Sequence, residues 1–333
     1  FTVVEKNPRV GGTWFENVYP EVGCDVPNHF YSYSFRPNPD WSAYFSGGAE
    51  IEAYFETCAR EFGVVEHVRF ETTVTAAEWD EERALWTVRT RDADGRVATE
   101  TANVLVPAVG QLNRPKLPPI PGMAEFKGEA FHTARWPAGI DLTSRRVAVV
   151  GTGASAMQLA RTTAEVAERL TIFQRSAQWA IPTREYHRKV SPAKHWLLRH
   201  VPFYAGWYRF TLAWRFSDHL LATVRRDPDW PHPERAVNRR NDRHRAFLTQ
   251  YIIDELDDRQ DLLPAVLPDY PPYGKRILVD NHWYRTLCRD NVELVTDPIA
   301  RITPTGVETE AGEHHRADVL VYATGFESTR LLG

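Results

Sequence analysis

Apolar and polar positions along the chain follow two periods, and each change of period marks an element. "FTVV" is a short β-favouring run that ends on Glu5, an acid at the carboxyl edge of the predicted strand. From Ile51 apolar residues recur at helical spacing, and Gly63 supplies a stop. The segment "VRFETTVTAAEWDEERALWTVRTRDADG" alternates in strand fashion, with Asp-Glu-Glu and Asp-Ala-Asp-Gly breaks suited to hairpin turns. "NVLVPAVG" predicts a further strand. The proline-rich "QLNRPKLPPIPG" after it cannot be helical and reads as a rigid surface connection.

Beyond that connection, "VAVVGTGASAMQLARTTAE" is an apolar strand, a glycine turn and a helix, and "LTIFQRS" is the next strand. From Tyr186 to Tyr273 the pattern turns helical and aromatic, with polar loops such as "RRDPDWPHPERAVNRRNDRH". Strand patterning resumes in "KRILVD", "NVELV" and "ADVLVYATGF", the last entering a glycine turn. The chain carries neither an internal repeat nor a low-complexity segment.

The strongest local chemistry lies in Gly151-x-Gly153-x-x-Ala156. Such a turn lets the backbone approach a pyrophosphate, and the N–H groups of the opening helix, at Ala154, Ser155 and Ala156, favour an anion there. Arg175-Ser176 ends the following strand, where an NAD-binding unit carries an acid. A guanidinium there suits a 2′-phosphate, so NADPH is expected over NADH; a solvated arginine is the alternative. Glu5 matches the ribose-binding acid of a second such unit, although no glycine-rich turn precedes it. The Gly11-Gly12-Thr13-Trp14 turn follows shortly after.

With 333 residues, 43% hydrophobic and 25% charged, the chain is long enough for two nucleotide-sized domains, or one with an insertion. A net charge of −4 offers no electrostatic reason to expect nucleic acid or an anionic membrane. Cys24, Cys58 and Cys288 form no CxxC pair, and the 12 histidines show no ligand spacing, so no metal or redox disulfide is expected. A reducing cytoplasm fits. The stretch "HWLLRHVPFYAGWYRFTLAWRFSDHLLATV" is interrupted by Arg199, Arg209, Arg215 and Asp218, and so predicts no membrane span. Amphipathic helices covering a core or a substrate cavity are expected there, with interfacial binding the lesser alternative.

"FKGEAFHTARWP" resembles the fingerprint F-x-G-x-x-x-H-x-x-x-W-P of Baeyer-Villiger monooxygenases, met by Phe126, Gly128, His132, Trp136 and Pro137. A second family pattern, [AG]-G-x-W-x4-[FY]-P-[GM]-x3-D, is met by Gly11, Gly12, Trp14, Tyr19, Pro20 and Asp25, with Glu21 standing where the family has Gly or Met. "LPDYPPYGKRILVDNHWY" and "YATGF" look most like the 4-hydroxyacetophenone monooxygenase branch. The likeness covers essentially the whole chain.

The resemblance implies an α/β protein with two Rossmann-like dinucleotide-binding domains, for FAD and NADPH, and a helical insertion. It places the FAD domain at 1–140, the NADPH domain at 141–185 and 274–316, the insertion at 186–273, and a return to the FAD domain at 317–333. It also implies a chain truncated at both ends, lacking the first strand and glycine turn of the FAD domain. The implied reaction inserts one atom of O2 beside the carbonyl of a small hydrophobic ketone through a flavin C4a-peroxide, giving an ester or lactone. Arg276 would be the fixed cation of that chemistry, oriented by Asp25. Lys275 would join Arg175 and Ser176 on the 2′-phosphate, Thr152 and Gly153 would meet the pyrophosphate, and Glu5, Gly11, Gly12, Thr13, Trp14 and Asp25 would lie on the flavin side.

Other readings stay open on the residues alone. Arg276 reads equally as a surface residue beginning a strand, and His132 as a structural linker residue rather than a base. Tyr31, Tyr33 and Phe35 read either as flavin-lining groups or as strand core. For the whole chain the alternatives are an N- or S-oxidising flavin monooxygenase and a non-catalytic NADP-binding fragment. A disulfide oxidoreductase would need a cysteine pair. Substrate identity and oligomeric state are not legible.

Overall fold

A computed structural model describes residues 1–329, and these divide into two compact units. The first comprises residues 1–18, 48–115 and the chain from Phe326. It contains β1 (Val3–Val4), α1 (Thr13–Glu16), α2 (Gly48–Glu61), β2 (Val68–Arg69), β3 (Thr73–Asp80), β4 (Leu85–Arg91) and β5 (Val97–Ala102). β1 and β2 pair in parallel, and β3, β4 and β5 form an antiparallel meander. α2 buries Ile51, Tyr54 and Cys58, the spacing that the helical period requires.

The second unit holds residues 19–47 and 116–325. Its first half carries β6 (Glu129–His132), β7 (Arg146–Val150), α3 (Ala154–Val166), β8 (Arg169–Phe173), β9 (Ala180–Ile181), α4 (Pro192–His200), α5 (Tyr204–Phe216) and α6 (Asp218–Val224). Then come α7 (Arg239–Leu256), α8 (Leu263–Val266), β10 (Leu278–Val279), α9 (Trp283–Leu287), β11 (Val292–Val295), β12 (Ile299–Thr303), β13 (Gly306–Thr309), β14 (His314–Arg316) and β15 (Val319–Tyr322).

Five parallel strands in the order β11-β8-β7-β15-β6 make the central sheet. Both of its faces are covered. Val147, Val149, Val319 and Val321 belong to the apolar cluster that includes α3, α7 and α9, while Ala148, Val150, Leu320 and Tyr322 face the antiparallel β12–β14 meander. Burial on both sides explains why these strands read as continuous apolar runs.

Several sequence expectations change in three dimensions. "NVLVPAVG" pairs with no strand among the described residues, and Val104 and Val106 are each 75% exposed. Residues 30–35 are turns, held by the Phe30 and Tyr31 N–H groups donating to the Pro27 carbonyl, with Tyr33 stacked on Phe35 at 4.9 Å. Residues 19–47 and the fingerprint segment fall in the second unit, and within that segment β6 pairs in parallel with β15. Of the expected return at 317–333, β15 lies in the central sheet, and the last four residues fall outside the described ones.

Candidate functional site

Buried apolar residues fix β7 in the middle of the sheet, so the turn after it is rigidly placed. Gly151 has φ 110° and donates its N–H to the Phe173 carbonyl at 3.0 Å. A Cβ on it would lie 2.6 Å from the Ala323 carbonyl oxygen, so only glycine fits. At Gly153, the N-cap of α3, a Cβ would meet nothing within 4 Å, and no side chain caps the helix. The first backbone N–H groups of this 13-residue helix therefore have neither an intrahelical acceptor nor a side-chain cap.

Basic and hydroxyl groups gather at the neighbouring strand end. Thr152 Oγ1 donates to the Ser176 carbonyl at 3.0 Å, and Lys275 Nζ donates to Ser176 Oγ at 2.8 Å. Lys275 also sits 4.5 Å from the Tyr270 ring centroid, and Arg175 is exposed beside them. Free helix N–H groups, an open cradle at Gly153 and two cations beyond it fit a dinucleotide that carries an additional phosphate.

One residue beyond Lys275, the Arg276 guanidinium reaches Asp25. Nη2 lies 2.7 and 2.9 Å from the two carboxylate oxygens, and Nε donates to Oδ2 at 3.2 Å. Nη1 makes no hydrogen bond among the described residues. The Arg276 side chain is 70% exposed while Asp25 is 22% exposed, so a cation is held at its base and presented at its tip.

The loop carrying Asp25 is anchored by a buried polar network that sequence reasoning missed. Tyr19 donates its hydroxyl to Gln158 Oε1 at 2.8 Å, Ser155 Oγ donates to the Tyr19 oxygen at 3.2 Å, and Gln158 Nε2 donates to the Gly23 carbonyl at 2.9 Å. Burial pushes the Tyr19 phenol up to about 12, as it does the Cys24 thiol and the Tyr186 phenol, so all three stay neutral. The available signal was a lone glutamine on the apolar face of "ASAMQLA". Glu21 adopts φ 59° in this loop, a left-handed conformation that suits the glycine expected there.

The fingerprint residues act on packing. Phe126 packs against the meander-side core, and a Cβ at Gly128 would lie 2.3 Å from the Asp318 carbonyl oxygen. His132 Nδ1 accepts the Ala134 N–H at 3.0 Å, capping the turn that follows β6. Burial holds this imidazole below its ordinary value, against a backbone contact with Gly325 that raises it, so it is neutral near pH 7. Trp136 stacks edge-on against Phe131 at 5.1 Å, and Pro137 follows it at the end of the segment.

In the first unit, taken by itself, Glu5 ends β1. Its Oε1 accepts the Asn7 N–H at 2.8 Å, and its second oxygen makes no hydrogen bond among the described residues. That spare acceptor at a strand's carboxyl end fits a ribose hydroxyl. Gly11 and Gly12 have φ of 139° and 53°, and Thr13 and Trp14 open the four-residue α1. Among the described residues no group of three His, Cys, Asp or Glu could hold a metal, and no helix is long and apolar enough to cross a membrane.

The parallel sheet, its glycine turn and the phosphate-suited strand end define a dinucleotide-binding α/β protein. Residues 6–192 match the family described as flavin-binding monooxygenase-like, and the chain belongs to that family. It is 41% identical to the uncharacterized monooxygenase y4iD of Sinorhizobium fredii, over 99% of this chain and 50% of that protein. It is 36% identical to a Baeyer-Villiger monooxygenase of Streptomyces coelicolor, over 99% of this chain and 60% of that one. Among solved structures, oxidized steroid monooxygenase bound to NADP superposes with a TM-score of 0.78 at 33% identity, covering 99% of this chain and 68% of that one. The chain thus spans about half to three-fifths of the length of these curated relatives.

Proposed function

We propose that the protein is an FAD- and NADPH-dependent Baeyer-Villiger monooxygenase that converts a small hydrophobic ketone to an ester or lactone. The observation carrying this reading is Arg276: a guanidinium oriented through two nitrogens by Asp25, with Nη1 left to donate and the side chain open to solvent. Within the family, "LPDYPPYGKRILVDNHWY" favours the 4-hydroxyacetophenone branch. The likeness to the Streptomyces coelicolor Baeyer-Villiger monooxygenase and to the NADP-bound steroid monooxygenase supports the oxygenation reading as a whole.

Bound FAD, once reduced by NADPH, would pass on the electrons that activate dioxygen. The chain's own residues do the rest. Gly153 and the α3 N-terminus receive the pyrophosphate of NADPH, and Lys275, Arg175 and Ser176 hold its 2′-phosphate. Arg276 donates hydrogen bonds to the oxygen on which negative charge develops, the part that the planar guanidinium fork of an arginine suits. Asp25 keeps it from swinging into water. Since Lys275 and Arg276 are adjacent, occupation of the 2′-phosphate site steadies the segment that bears the cation.

The test is to load the protein with FAD and follow NADPH-dependent bleaching and ester formation from a ketone under labelled dioxygen. Arg276→Ala is expected to retain bleaching and lose labelled ester. Ester formation at the unsubstituted rate in that variant would overturn the assignment, and labelled N-oxide or S-oxide formed from an added amine or sulfide while the ketone stays unconverted would favour the heteroatom-oxidising class.

A further inference from the structure

Just before Lys275 the chain reads "PDYPPYG", where two adjacent prolines rule out a helix and leave backbone carbonyls without regular partners. Side chains from other elements supply the donors. Arg245 on α7 donates through Nη2 to the Pro268 carbonyl at 3.2 Å and through Nη1 to the Tyr270 carbonyl at 3.1 Å. The buried Trp179 adds its indole N–H to the Tyr270 carbonyl at 2.9 Å, and the buried Asn241 amide donates to the Pro272 carbonyl at 2.9 Å. The Arg245 guanidinium also lies over the Trp179 ring, 5.1 Å from its centroid, so the two donors to Tyr270 brace each other.

Tyr270 is thereby fixed at its backbone, and its far end is fixed as well, since the hydroxyl donates to the Ala177 carbonyl at 3.0 Å. A ring held at both ends presents its face in one direction. Lys275 Nζ lies over that face, 4.5 Å from the centroid, within reach of a cation–π interaction, and donates to Ser176 Oγ at 2.8 Å. Ala177, which receives the tyrosine hydroxyl, directly follows Ser176, which receives the ammonium, so ring and lysine are tied to the same strand end. An ammonium carries three N–H donors, of which Ser176 takes one. The tyrosine ring steadies the group without consuming the donors that an anion would need.

We propose that Tyr270 is a specificity-determining platform for Lys275: its ring holds the ammonium where the 2′-phosphate of NADPH arrives, and so favours the phosphorylated cofactor over NADH. The inference rests on the reading of Lys275 as a ligand of that phosphate. A lysine stem is flexible, and a cation already held in position loses less freedom when the anion binds. Because the platform acts through the ammonium, its benefit falls on the cofactor that carries the extra phosphate. Tyr270 is thus a positioning residue, and Arg245 and Trp179 hold it in turn.

Titration calorimetry of the whole chain with NADP⁺ and with NAD⁺, oxidised forms that bind without turnover, tests it. Tyr270→Leu is expected to weaken NADP⁺ about three- to tenfold and to leave NAD⁺ unchanged, the NAD⁺ affinity serving as the control for folding. Tyr270→Phe keeps the ring and should restore most of the preference. In a Lys275→Ala background Tyr270→Leu should have no further effect on NADP⁺, because a residue acting through the lysine has nothing left to position. Equal weakening of both dinucleotides by Tyr270→Leu, or an effect that simply adds to that of Lys275→Ala, would overturn the proposal. If Lys275→Ala weakens NADP⁺ alone while Tyr270→Leu does not, the platform falls and the phosphate site stands. If Lys275→Ala does not weaken NADP⁺ selectively, the reading of that site falls and the platform with it.

Discussion

Arg146 with Asp318, and Arg276 with Asp25, are two bidentate pairs within the same unit. Arg146 Nε and Nη2 reach the Asp318 oxygens at 3.0 and 2.6 Å, and the Arg146 backbone N–H adds a third bond at 2.9 Å. These two residues stand at the amino ends of the neighbouring strands β7 and β15, and both side chains are about one-third exposed. The hydrogen bonds from Arg146 hold the Asp318 carboxyl down at about 2. Arg276 instead rides a connection beside Ser176, at the carboxyl end of β8, and is twice as exposed. Ligands of open α/β sheets gather at the carboxyl ends of the strands. The same ion-pair chemistry therefore braces the sheet at one end and presents a cation at the other.

Swapping the two arginines' fates is the largest way to break this contrast. Arg276→Ala should lower ester formation by about 10²- to 10³-fold, the usual cost of losing one donor to a developing oxyanion. Arg146→Ala should leave turnover unchanged and lower unfolding free energy by about 1 kcal/mol, measurable by urea titration. A large activity loss in the second variant would mean that the brace also shapes the site.

Acid should act next, on the segment that follows Asp25. His29 is buried with neither ring nitrogen hydrogen-bonded, and burial, with Lys194 and His195 adding to it, lowers its pKa to about 4. A histidine with a depressed folded pKa binds fewer protons folded than unfolded, so stability is complete above about 6.5 and falls as pH drops toward 4. The loss amounts to about 3 kcal/mol. His29→Phe should flatten the pH dependence of the thermal midpoint over that window; an unchanged slope would place the acid-sensitive group elsewhere.

Smaller effects sharpen the functional end of the comparison. Lys275→Ala should weaken NADPH roughly tenfold and leave NADH unaffected, read from the two Michaelis constants, since only the phosphate-bearing cofactor meets a charge-assisted bond there. Glu21→Gly should raise stability by about 0.5 to 1 kcal/mol by relieving the left-handed φ, with little change in activity. A destabilised Glu21→Gly protein would show that the glutamate has a compensating contact.

Legibility of the site followed the range of the interactions involved. The glycine turn at Gly151 could be read because strand, turn and helix are contiguous and each has its own period. Arg276 could be singled out only through family resemblance, since nothing around it distinguishes it from the many surface arginines of the chain. Gln158 escaped notice because its partners, Tyr19 and Gly23, lie more than a hundred residues away. "NVLVPAVG" has the composition of a strand, but a ladder needs a neighbour that composition does not specify, and none pairs with it among the described residues.

By itself the sequence determined the order of elements, the nucleotide turn with its basic strand end, and the family patterns at Gly11–Asp25 and Phe126–Pro137, all of which depend on residues close together along the chain. Only the tertiary structure decided that Asp25 grips Arg276, that Gly128 is needed because the Asp318 carbonyl backs onto it, and that α5 turns its tryptophans outward. Each of those depends on which distant segment arrives alongside, and local periodicity carries no information about that.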